Sequence, residues 1–280
     1  MRGTLHAGRL RAADWRRSAA RWIHRRGMKS LGRRQRAIAA ALERDGATVV
    51  TLDELAVEGT PRMLGEARGA VAGVERDARM APGKSYFLAV PHAAFQALPG
   101  VVGWGLSESL LDIVEHYLGQ PVFYRGVVGR RELPDGQAVE TRLFHRDAED
   151  VRSVKIIVYL NDVPPESGPF EYVPRGFTPP SGDLVFRDGR VSDEEMARHA
   201  AESHWVRCEG PAGTVVIADT CSVYHRGRVP VAGHRDALFF AYNSSAPTLP
   251  DMAGPIFDFG PLLPELALSE RQRAALTLRS

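Results

Sequence analysis

The sequence predicts a mainly β protein of the α+β kind, a sandwich or barrel flanked by N-terminal helices. Three observations carry this. From Pro121 onward, short runs rich in β-branched and aromatic residues alternate with Gly-, Pro- and Asp-containing turns, the pattern of an antiparallel sandwich or barrel. Before Pro121, apolar residues recur at helical spacing in three stretches. Finally, 27 Gly and 19 Pro in 280 residues suit a turn-rich protein better than a helical bundle.

Taken in order, residues 30–44 predict a helix with Ile38, Ala41 and Leu42 on one face. "RDG" at 44–46 stops it, and "ATVVTL" predicts a short strand. Helices follow near 61–77 and 107–118. The second aligns Leu106, Leu110, Ile113, Val114 and Tyr117 and ends at Gly119. "PVFYRGVVGRREL" predicts the first core strand, and "PDG" at 134–136 turns the chain. "VETRLFHRD" predicts a second strand and "VRSVKIIVYLNDV" a third. "FEYVP", "AGTVVIADT" and "RDALFFAYNSS" supply the rest. A polar insertion spans about 175–205, with a short helix started by the Ser192 and Glu195 capping pattern.

Composition narrows the function classes. Residues 1–36 hold eleven Arg and Lys29 against Asp14 alone, so against a whole-chain charge of +2 the remainder is acidic. This basic segment is expected to be a disordered extension ahead of one domain spanning 37–280. An acidic body argues against a nucleic-acid partner, and no apolar run is long enough to cross a membrane. Two cysteines, Cys208 and Cys221, are too few for a disulfide framework or a zinc cluster, which favours a cytoplasmic protein. The expected partner is a small-molecule substrate, with the chain a monomer or a homodimer.

The tripeptide His-Arg-Asp occurs twice, at 145–147 and at 234–236. On a strand, residues two apart share a face, so His145 and Asp147 project together. They form two-thirds of a 2-His-1-carboxylate facial triad, which holds non-haem Fe(II) and leaves coordination positions open. A second histidine is needed. The downstream candidates are His199, His204, His225 and His234, and His225, directly after a buried-looking strand, is the best placed. The second tripeptide then has another use. Arg235 follows His225 across a turn with Pro230 and Gly233, and an antiparallel return would point it near the same pocket. Arginine suits a bidentate grip on a carboxylate. His234 and Asp236 would face away as structural residues.

His145-x-Asp147, then His225, then Arg235, resembles the phytanoyl-CoA dioxygenase-like branch of the Fe(II)/2-oxoglutarate-dependent oxygenases. "LERDGATVV" at 42–50, "LLDIVEHYLGQPV" at 110–122 and "YLNDVPPESGPFEYVPRG" at 159–176 are similar to that family's segments, so the resemblance covers about 38–245. It implies a double-stranded β-helix, the jelly-roll or cupin-like barrel. It implies Fe(II) on His145, Asp147 and His225, and 2-oxoglutarate with its distal carboxylate on Arg235. With O2 as oxidant, the implied reaction releases succinate and CO2 and oxidises a substrate C–H bond, usually by hydroxylation. Asp147 argues against halogenation, in which chloride takes the place of the carboxylate. The insertion at 175–205 is the expected lid, joined by the segment 245–280.

Two departures stand out. Arg175 and Phe177 occupy the expected substrate entrance, where the family often has a "PGSH" segment, and are candidate substrate contacts. Gly227 stands where the family often has a serine. An Ala-, Gly- and Arg-rich composition points towards bacterial specialised metabolism. Two alternatives are a cupin-type metalloenzyme that does not use 2-oxoglutarate and a non-catalytic jelly-roll binding protein.

Overall fold

The computed structural model describes residue 24 and residues 27–77 and 86–278. Most of the basic extension, residues 1–23 with 25 and 26, lies outside the described residues.

Three N-terminal helices form close to where their apolar periodicity predicts, α1 (Arg33–Asp45), α3 (Thr60–Asp77) and α5 (Glu108–Leu118); the short α2 (Leu52–Leu55) and α4 (Pro99–Gly105) were not expected. Gly46 ends α1 in the left-handed region, φ 80°, and its amide donates to the Leu42 carbonyl. The strands are β1 (Ala47–Thr51), β2 (Phe87–Ala89), β3 (Val122–Glu132), β4 (Val154–Tyr159), β5 (Phe170–Tyr172), β6 (Val206–Cys208), β7 (Thr214–Asp219), β8 (His225–Gly227) and β9 (Arg235–Ser244). Two later helices, α6 (Asp193–His199) and α7 (Glu270–Ala274), complete the set among the described residues.

These strands make two antiparallel sheets. The large one runs β1-β7-β4-β9-β3-β2 and the small one β6-β5-β8. The large sheet carries two apolar faces, as strand alternation requires. Its outer face presents Val154, Ile156 and Val158 of β4, Val215 and Ile217 of β7, and Leu238, Phe240 and Tyr242 of β9 to the helices. Its inner face presents Ile157, Tyr159, Val216, Ala218 and Ala237, which pack with Phe170 and Tyr172 of the small sheet. The fold is a jelly roll with helices against one sheet and a cavity opening between the two.

Strand β3 breaks the simple alternation. Its register against β9 shifts between Tyr124 and Gly126, so Arg125 is an extra residue in a β-bulge. Val122, Tyr124 and Val127 therefore all reach the outer core, while Val128 and Arg130 turn to the cavity. Gly126 holds φ 123°, and a Cβ there would stand 3.0 Å from the Phe257 ring.

Three expectations need correction. "VETRLFHRD" is not a strand: it is a 3-10 turn at Glu140–Arg142 followed by single bridges from Phe144 and His145. Arg142 explains the turn. Its fully buried guanidinium caps the carbonyls of Gln137, Tyr86 and Leu133 at 3.0, 2.9 and 2.7 Å and meets Asp135, folding this segment onto itself. Second, β8 and β9 are not neighbours. The turn between them crosses from the small sheet to the large one, because β8 pairs with β5 and β9 with β3 and β4. Third, the Ser192 pattern is only half a capping box. Ser192 accepts from the Glu195 amide at 3.2 Å, but the Glu195 carboxylate accepts from the Val185 amide at 2.9 Å and tethers the insertion instead.

The insertion is packed rather than loose. Leu184, Val191, Met196, Ala200 and Trp205 form a small core with Phe144, Val173 and Tyr224. The C-terminal segment adds Phe257, Phe259 and Leu262 to the main core. Among the described residues, no helix is long and apolar enough to cross a membrane.

Gly126→Ala is expected to lower unfolding stability by about 1–3 kcal/mol, because alanine pays for a positive φ and meets Phe257. A denaturant titration at fixed temperature reads this directly. An unchanged midpoint would show that the bulge relaxes freely.

Candidate metal and cosubstrate site

His145, Asp147 and His225 come together at the cavity, their ligand atoms all within 4.8 Å of one another. Backbone pairing does the positioning. The amides and carbonyls of His145 and His225 bond reciprocally at 3.1 and 3.0 Å, fastening the irregular segment to the edge of the small sheet. The Asp147 amide donates to the Thr220 carbonyl at 2.9 Å. The two imidazoles lie 4.3 Å apart between centroids, and Phe170 stacks on His225 at 5.5 Å.

Both rings are oriented for the same task. His145 Nδ1 lies 2.9 Å from the Leu143 carbonyl, and His225 Nδ1 lies 3.3 Å from the Val223 carbonyl. A proton on each Nδ1 leaves each Nε2 with a lone pair, aimed at Asp147 from 3.8 and 4.0 Å. Burial pushes the His145 pKa down to about 4 despite the nearby Asp147 carboxylate. Burial and the His145 ring push His225 well below its ordinary value. Both are therefore neutral, as metal ligation requires. Burial alone would raise the Asp147 carboxyl, but the Lys155 ammonium beside it holds it well below the usual carboxylate range. Lys155 Nζ sits 2.5 Å from Asp147 Oδ2.

The cavity has a volume of about 490 Å³. The triad shares it with Arg235, which is 2% exposed. Burial lowers the Arg235 pKa and Glu132 opposes the shift, but a guanidinium stays charged. One Nη donates to the Gly168 carbonyl, while the buried Nε has no hydrogen-bond partner among the described residues. Glu132 lies 3.6 Å from Arg235 Nη2, but it also meets Arg130 at 2.8 Å and Arg142 at 3.5 Å. Arg142 has Asp135 as its second acid. Three guanidiniums against two carboxylates leave this end of the cavity cationic.

Gly227 now has a steric reason. A Cβ on it would stand 2.6 Å from Arg235 Nη2. Any larger residue here would bring its Cβ against the Arg235 guanidinium as it lies in this chain.

The other candidates fall elsewhere. His199 pairs with Glu195 at 3.4 Å, and His204 stacks on Phe177 at 3.8 Å. His234 and Asp236 face away from the cavity, and Asp236 takes a two-point grip from Arg131 at 2.7 and 2.8 Å. Arg175 and Phe177 do not line the cavity. Arg175 donates to Tyr117 at 2.7 Å and Ser222 at 2.8 Å, and lies 3.5 Å from the buried Asp219, so it ties the insertion to α5 and β7. Phe177 is 47% exposed. The insertion reaches the cavity through Arg190 instead, and the C-terminal segment reaches it through Ile256. His92 also lines it. No local motif marks Arg190, Ile256 or His92, since tertiary packing alone brings them there.

No protein-family model and no curated protein sequence matches the chain. Solved structures do. It is similar to the apo form of EctD from S. alaskensis, at 22% identity over 89% of this chain and 87% of that one, with a TM-score of 0.51. It is similar to the non-heme alpha ketoglutarate dependent carbocyclase SnoK from nogalamycin biosynthesis, at 19% identity over 86% and 94%, TM-score 0.54. It is also similar to HygX from Streptomyces hygroscopicus with nickel, 2-oxoglutarate and hygromycin B bound, at 19% identity over 76% and 88%, TM-score 0.50. At these identities the likeness establishes a shared fold, the jelly roll described above.

Proposed function

We propose that this protein is an Fe(II)/2-oxoglutarate-dependent oxygenase of the phytanoyl-CoA dioxygenase-like kind that hydroxylates a small molecule in bacterial specialised metabolism. The observation that carries this is one cavity lined by two neutral imidazoles, one carboxylate and a buried arginine whose Nε lacks a partner among the described residues. The donor set fits the metal, since imidazole and carboxylate ligands on one side leave positions open for cosubstrate and O2. Bound Fe(II) with 2-oxoglutarate supplies oxidative decarboxylation to succinate and CO2, coupled to oxidation of a C–H bond.

The chain's own part is positioning. His145 and His225 offer Nε2 because backbone carbonyls hold their Nδ1 protons. Asp147 stays ionised under the field of Lys155, so it is ready to ligate without first losing a proton. Arg235 would hold the distal carboxylate of 2-oxoglutarate through its guanidinium, and Arg130 adds a second positive charge that shares Glu132 with it. Val128, Ile157, Phe170 and Phe239 wall the site and keep water from the reacting C–H bond.

An anaerobic titration with Fe(II) and then 2-oxoglutarate tests the reading. The wild type is expected to develop the weak visible charge-transfer band of the chelate, and His145→Ala, Asp147→Ala and His225→Ala to lose it. Arg235→Gln is expected to retain metal and weaken 2-oxoglutarate binding at least about tenfold, the cost of a charge-assisted hydrogen bond. Metal binding without any such band would favour a cupin-type enzyme that does not use 2-oxoglutarate.

Lys155 supplies a second test. It competes with a dication for the same carboxylate, so Lys155→Met is expected to tighten divalent-metal binding by about tenfold or more. Competition with a chelating dye measures this. Weaker binding would assign Lys155 to orienting Asp147 instead.

A further inference from the structure

We propose that the cavity selects a substrate with an anionic group on an apolar body, a carboxylate or a phosphate ester, and that Arg190 binds that group. The inference rests on the oxygenase reading above and names its substrate class.

Six cationic side chains line the cavity: Arg125, Arg130, Lys155, Arg190, Arg226 and Arg235. Five have acids of their own. Arg125 meets Glu149 at 2.7 Å, Arg130 meets Glu132 at 2.8 Å, and Lys155 meets Asp147 at 2.5 Å. Arg226 meets Glu171 at 2.7 Å and also Asp193, and Arg235 shares Glu132. Arg190 has no acidic partner among the described residues; its one side-chain hydrogen bond is a 3.4 Å contact to the Gly189 carbonyl. A half-buried cation without an acid is a place where a ligand's charge is stabilised.

Its position is fixed by backbone. Arg187 and Arg190 bond reciprocally, 2.9 Å each way, around a tight turn in which Asp188 and Gly189 both have positive φ. The next residue, Val191, exchanges hydrogen bonds of 2.8 and 3.1 Å with Phe144, the neighbour of ligand His145. Arg190 thus stands on the strap tied to the segment that carries His145.

Loading the site sharpens the imbalance. A divalent metal and a doubly charged 2-oxoglutarate cancel each other. A bound metal would take Asp147 from Lys155, so Lys155 and Arg190 become the cations with least compensation. Val128, Ile157, Phe239 and Ile256 also line the cavity and offer a hydrocarbon body apolar contact.

The test is calorimetry on protein loaded with Ni(II) and 2-oxoglutarate, titrated with octanoate, octyl phosphate and 1-octanol. At least one anion is expected to bind saturably and at least about tenfold more tightly than octanol, a difference of about 1.4 kcal/mol. Arg190→Gln is expected to erase that difference, Arg190→Lys to restore part of it, and the exposed Arg187→Gln to leave it intact. Comparing the two anions shows whether the group preferred is carboxylate or phosphate. Equal binding of octanol, no saturable binding of either anion, or an Arg190→Gln protein as tight as wild type would overturn the proposal. Any of these results in protein that still forms the Fe(II)–2-oxoglutarate band removes the anion preference alone. Loss of that band in the wild type removes the oxygenase reading itself.

Discussion

The inserted residue Arg125 sets the geometry on which the cavity depends. A strand has a period of two, so one extra residue exchanges its faces. Upstream of the bulge, Val122 and Tyr124 serve the helix-facing core, and downstream Val127 takes over that duty. Had the alternation run on unbroken, Val127 would have turned inward and Val128 and Arg130 outward, against the helices. The charged floor of the cavity exists because the strand changes phase. Gly126 supplies the conformation that change requires, and Arg125 itself anchors the break through Glu149 at 2.7 Å and the Gly254 carbonyl at 3.1 Å.

A second constraint is electrostatic. The cavity gathers charges that burial would ordinarily forbid, and the fold tolerates them by sharing acids among cations. Glu132, itself 2% exposed, stands among three arginines. Glu171, fully buried in β5, takes Arg207, Arg226 and Arg228 on the small sheet. Both sheets thus carry a carboxylate that gathers guanidiniums. Arg226 also stacks over Phe144 at 4.3 Å, which ties the charged network to the core beneath the insertion.

Much of this was legible in the sequence, because the relevant signals are local. Helices α1, α3 and α5 were written in their apolar spacing, and α1 and α5 also in their glycine stops. Strands β4, β7 and β9 were written in dense β-branched and aromatic runs. The triad was legible for a different reason: His145, Asp147 and His225 are residue types with chemistry of their own, and their order along the chain limits the assemblies available. What failed was nonlocal. The segment 139–147 has the composition of a strand, but its Arg142 is buried to cap the carbonyls of Tyr86, Leu133 and Gln137, and no pattern in the sequence shows that an arginine will be buried. The inward face of β3 could not be assigned because a bulge is a mismatch between two strands, visible only with the partner in place. The tie from Arg175 to Asp219 was not legible because the two lie far apart along the chain. The place of Arg190 was not legible because packing against the Phe144–His145 segment, rather than its own loop, brings it to the cavity.

Lys155 has one more consequence, and it concerns the order of events in the life of the protein. A buried carboxylate between two neutral imidazoles is a strong reason for a chain not to close around it. Small zinc domains resolve that problem by folding only when the ion arrives. Here the counter-charge is part of the chain, delivered by β4 as the large sheet forms. On the oxygenase reading proposed above, the chain would reach its native packing without waiting for metal, and iron would enter a finished chamber by displacing the Lys155 ammonium from Asp147. Acquisition and loss of the ion would then be reversible exchanges within a folded molecule, uncoupled from its synthesis.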